Sequence, residues 1–122
     1  MNVTLLLAGL SAAGIVFGHF LFGTSWYLRP VLAAEMEEVP RKQMQAVFHY
    51  ASVFLVLSAV VLLAAAFGVD MGSDPTLAVQ FIAATYILMA LSQLAVAMTA
   101  KAPKIKFFQW ILFAVTGVLA MV

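Results

Sequence analysis

The 122-residue sequence contains no cysteine. That excludes disulfides, thiolate catalysis and cysteine-ligated zinc or iron–sulfur centres. Charge is the next shortage, at 9% of residues against about 25% in an average soluble domain. The charged residues form three groups: Arg29, Glu35, Glu37, Glu38, Arg41 and Lys42; then Asp70 and Asp74; then Lys101, Lys104 and Lys106. A water-soluble surface needs charge scattered along the chain. A hydrophobic content of 66% excludes disorder. A net charge of +1 gives no electrostatic footprint for nucleic acid. An integral membrane protein is the class that remains, with the lipid bilayer as its first partner.

What is present between the charges is long apolar sequence. The fold class expected is all-α, an up-down bundle of four transmembrane helices forming one domain over 1–122. The spans are read at about 3–28, 43–68, 75–100 and 107–122. A crossing takes about 20 apolar residues, so the first three are long enough. The fourth has 16 residues between Lys106 and Val122, roughly 24 Å at helical rise, and needs snorkelling lysines or a thinned bilayer.

Lys and Arg set orientation. The first and third loops carry three each, and the second loop and both ends carry none. Loops one and three are therefore expected in the cytoplasm, with both termini outside. A bacterial inner (plasma) membrane is the expected location. No basic segment precedes the first apolar run, so that run reads as a retained helix rather than a cleaved signal. Trp26, Tyr27, Arg29 and Trp110 suit the inner interface as anchors. Asp74-Pro75 and Pro40 read as helix openings and Gly68 as a helix end. After Pro30, Val31–Glu38 reads either as an interfacial helix or as an extension of the first helix beyond a kink.

The spans hold no Asp, Glu, Lys or Arg. That argues against a carboxylate-switched antiporter and against a carboxylate-bound di-metal site. Histidine is what the spans do hold. His19 lies seven residues before Trp26, and His49 lies seven after Lys42. On antiparallel helices both fall roughly 10 Å inside the cytoplasmic interface. Gln45, Ser52, Tyr86, Gln93 and Gln109 complete a polar layer in that half. Such a layer can fasten helices together, line a path for a solute, or present imidazoles to a haem b. Gly14 and Gly18 form a small-xxx-small pair suited to close helix approach.

His19-x6-Trp26 resembles, over one short stretch, the first-helix pattern of membrane protoporphyrinogen oxidases, which bind haem. The residues that follow, Tyr27-Leu28-Arg29-Pro30, depart from that family's Leu-Pro-Arg order. No function is carried over from the resemblance. The leading expectation is a non-enzymatic membrane-complex subunit or a homo-oligomeric pore or transport component. The alternative is a haem-binding redox protein or enzyme with His19 and His49 as axial ligands.

Overall fold

The chain is described by a computed structural model covering the backbone of residues 1–122 and every side chain but those of Lys104 and Ile105. It is all-helical, with no strand among the described residues. Four helices follow in order: α1 (Val3–Ala33), α2 (Glu38–Phe67), α3 (Thr76–Thr99) and α4 (Gln109–Met121). A short 3₁₀ turn, Lys104–Phe107, precedes α4. The first three helices are long and apolar enough to cross a membrane. With 13 residues, α4 reaches about 20 Å at helical rise, less than a hydrocarbon core of ~30 Å.

Local chemistry sets the helix ends. The Asn2 side-chain oxygen accepts from the Leu5 amide at 3.1 Å and caps α1. Asp74 accepts from both the hydroxyl (2.7 Å) and the amide (3.0 Å) of Thr76 at the start of α3. Those bonds hold its carboxyl below the usual carboxylate range, because they favour the charged form. Gly68 closes α2 with φ of +68°, a left-handed conformation that costs any residue with a Cβ about 1–2 kcal/mol. A Gly68→Ala variant should therefore lower stability by about 1 kcal/mol, measured as a shift of the SDS-unfolding midpoint in mixed micelles.

The boundaries differ from the sequence expectation at the first loop. α1 continues through Pro30 to Ala33, and α2 already begins at Glu38. Val31 therefore belongs to an extension of α1. The extension is accompanied by a change of winding. Residues Val3–Gly18 are α-helical, His19–Leu28 are π-helical, and Arg29–Ala33 return to α. Pro30 supplies the physical reason. It has no N–H, and its ring crowds the carbonyl four residues back, that of Trp26. A wider turn relieves the crowding, and the Arg29 amide accordingly bonds to Thr24, five residues back.

The helices do not pack equally. α1 packs heavily on α2, α3 on α4, and α1 also lies against α4, whereas α2 and α3 touch only lightly. Glycines allow two of the close approaches. A Cβ at Gly9 would lie 2.6 Å from the Leu63 side chain of α2. One at Gly117 would lie 2.8 Å from Ile87 and 3.0 Å from the Ala83 carbonyl of α3. Ala8, Ala12, Ala59, Leu62, Ala83 and Tyr86 fill the interior between them. Gly14 behaves differently: nothing comes within 4 Å of its Cβ position.

Candidate functional site

Inside the bundle, polar side chains of the described residues form three interhelical pairs. His19 Nε2 on α1 meets Ser52 Oγ on α2 at 2.8 Å. The Ser58 hydroxyl on α2 meets the Tyr86 hydroxyl on α3 at 2.8 Å. Ser11 on α1 meets Thr116 on α4 at 2.7 Å. One hydroxyl of each pair donates to a carbonyl of its own helix: Ser52 to Phe48 at 3.0 Å, Ser58 to Leu55 at 2.9 Å, Thr116 to Leu112 at 2.9 Å. A hydroxyl has one proton and two lone pairs. With the proton committed locally, its oxygen accepts from the neighbouring helix. His19 Nε2–H, Tyr86 O–H and Ser11 O–H are then the donors. No buried side-chain nitrogen or oxygen among the described residues lacks a partner.

His19 sits where the π winding starts. Its ring stacks on Phe48 of α2, with centroids 4.1 Å apart and planes 18° apart. Gly23, one turn further on, keeps this space open: a Cβ there would lie 3.2 Å from the Phe48 ring and 3.6 Å from His19 Nδ1. The Tyr27 ring is also near parallel to Phe48, with centroids 6.5 Å apart. His49 does not enter this cluster. It is exposed on α2 and meets Phe48 edge-on, with centroids 5.7 Å apart. Phe48 is therefore the ring that stacks on His19 of α1 at this level, with His49 exposed beside it.

The other sequence candidates are dispersed. Gln45 accepts from Lys42 Nζ at 3.4 Å near the start of α2. Tyr86 is fully buried. Its partner Ser58 stands six residues beyond Ser52, about 9 Å further along α2. Gln109 is half-buried at the first residue of α4. Trp26, Tyr27 and Arg29 are exposed, Trp110 is half-buried, and Trp26 packs against Phe22 with ring centroids 5.0 Å apart. Gln93 lines an open groove of about 350 Å³ with Thr85, Leu88, Met89, Ser92 and Val96, and Phe113 of α4 completes its wall.

Sequence reasoning missed Ser58 and Phe48. A signal for Ser58 was present. It lies ten residues before Gly68, and Tyr86 lies eleven after Pro75, so the two share a depth. A buried tyrosine hydroxyl needs a partner at its own level. Phe48 had no comparable signal.

The His19 arrangement yields a testable tautomer. Nitrogen NMR shifts should report the proton on Nε2, with Nδ1 unprotonated. Ser52→Ala should remove that bond at a cost of about 0.6 kcal/mol, with ~2 as the upper bound, read from the SDS-unfolding midpoint.

The fold and these pairs define an all-helical protein with three membrane-length apolar helices and an interior closed by hydrogen-bonded pairs. No known protein family, curated protein or solved structure matches the chain.

Proposed function

We propose that the protein is a small multi-pass membrane protein that works as part of an assembly, as a subunit of a membrane complex or as a homo-oligomer, and is not itself an enzyme. One observation carries the reading. The interior polar groups are paired, yet Ser92 and Gln93 of α3 lie in an open groove with no side-chain hydrogen bond to the described residues. Polar groups left in hydrocarbon without a partner are costly, so a second protein surface would be stabilised there. In this reading the four helices form one up-down domain, and the six Lys and Arg residues hold loops one and three in the cytoplasm.

The interior itself gives little support to a conducting path within one chain. Tyr86, Leu55 and Leu62 fill its middle, each 2% exposed or less. A haem between His19 and His49 has less support than assembly does. The His19 Nε2 is held by Ser52, and His49 is exposed on α2. The test is the stoichiometry of the full chain in native-like bilayers, counted by single-molecule photobleaching and checked for co-purifying subunits. More than one bleaching step, or a stoichiometric second protein, is expected. A single step with no partner would overturn the reading.

A further inference from the structure

We infer that the groove on α3 is where two copies of this chain associate, α3 against α3, through Ser92 and Gln93. The inference rests on the assembly reading above and names its surface and its partner.

The polar residues of α3 divide into two kinds. Tyr86 is buried and paired with Ser58. Thr85 and Thr99 donate to the Phe81 and Val96 carbonyls of their own helix, at 2.8 and 2.9 Å. Ser92 has no such bond, nor has the Gln93 amide, among the described residues. Thr85 shares the groove, and its oxygen keeps an open lone pair. It therefore shows half of the arrangement found at Ser52, Ser58 and Thr116: the proton is given to its own helix, and the oxygen awaits a donor from another.

Depth makes this incompleteness costly. Gln93 lies eight residues before Lys101, about 12 Å along the helix. That is well inside a hydrocarbon leaflet of ~15 Å, half of a ~30 Å core. Lipid tails there offer neither donor nor acceptor.

The chemistry of the face selects a second copy. A carboxamide carries a donor and an acceptor together, so two such groups related by a two-fold axis satisfy each other reciprocally. Residues at one depth in one copy meet the same depth in the other when the axis runs along the membrane normal. Ser92 then meets Ser92, and Gln93 meets Gln93. α3 contains no charged residue from Thr76 to Thr99, so identical faces approach without repulsion. Leu88 and Val96 flank the polar pair and are 62% and 57% exposed, giving apolar contact on either side. Among the described residues, α2 adds none to the groove wall.

The absence of native cysteine makes the test direct. Single-cysteine variants Ser92→Cys, Val96→Cys, Val60→Cys and Gly14→Cys of the full chain are oxidised in native-like bilayers, alongside photobleaching of the same samples. Disulfide dimers are expected for Ser92→Cys and Val96→Cys and not for Val60→Cys or Gly14→Cys. Gln93→Leu should weaken dimerisation roughly tenfold with the SDS-unfolding midpoint of the monomer unchanged. Multiple bleaching steps without a Ser92→Cys or Val96→Cys crosslink would overturn the inference and leave the assembly reading standing. Crosslinking only at Gly14→Cys would do the same, moving the contact to α1. A different protein that shields Ser92→Cys from oxidation overturns the second copy as occupant. A single bleaching step with no crosslink and no co-purifying protein removes both.

Discussion

Tyr86→Ala should be the most destabilising single truncation in the bundle, lowering stability by roughly 2–3 kcal/mol. Tyr86 is 0% exposed and touches Phe54 and Phe113 with ring centroids 5.8 and 5.9 Å away. In water-soluble cores, removing a large aromatic side chain costs about 3–5 kcal/mol, combining transfer from water with the cavity left behind. In a membrane the transfer part shrinks, because separated helices face lipid tails as apolar as the core. Loss of packing and loss of the Ser58 bond remain, hence the lower figure. Tyr86→Phe keeps the ring and removes only the bond, so it should cost about 0.6 kcal/mol, with ~2 as the upper bound. SDS-unfolding midpoints of the two variants separate the contributions. Equal losses for Tyr86→Phe and Tyr86→Ala would show that the hydroxyl, not the ring, holds α3 to α2.

Gly117→Val is expected to have the second-largest effect, about 1–3 kcal/mol and in the direction of splayed helices. A single carbon at this position would stand 3.0 Å from the Ala83 carbonyl oxygen and closer still to Ile87. Ile87 can turn aside, but the carbonyl is part of the α3 backbone. The helices themselves must separate, and Thr116, the neighbour in sequence, would be drawn from Ser11. Gly14→Val is the internal control. With nothing within 4 Å, it should leave the unfolding midpoint of the monomer unchanged. Proximity of labels on α3 and α4, read by electron spin resonance, should lengthen in Gly117→Val and not in Gly14→Val.

Position along the helices was legible in the sequence and rotation about the helix axis was not. The charge-free intervals located three membrane-length helices, and Gly68 and Asp74-Pro75 marked their ends because those residues act through local chemistry. Counting residues from Lys42 and Trp26 put His19 and His49 at one level. Facing is another matter. One residue is about 100° of rotation, and that separates Phe48, which is buried and stacks on His19 of α1, from His49, which is exposed. A soluble helix declares its inner face by hydrophobic periodicity. Here both faces are apolar, so the period is nearly silent and the choice falls to shape. The π winding was equally hidden. Pro30 announced a disturbance, but not that α1 would widen over the ten residues before it and continue beyond it. The packing glycines show the same limit. Gly14 and Gly18 have the familiar spacing, whereas Gly9 and Gly117 make the contacts because Leu63 and Ile87 lie opposite them.

The pattern of hydrogen-bonded pairs has a consequence for how the chain is made. Helices emerge from the ribosome in order, so α1 and α2 are synthesised first, and they share the Ser52–His19 bond and the Asn2 amide to Ala66 carbonyl bond of 2.9 Å. That early hairpin holds two unfinished groups, the Ser11 hydroxyl and the Ser58 oxygen. Their partners, Thr116 and Tyr86, lie on α4 and α3. The later hairpin therefore arrives at a template that already states its position, one bond for each incoming helix. In a solvent where greasy surfaces cannot tell one another apart, these two docking points give the second half of the chain a single place to settle.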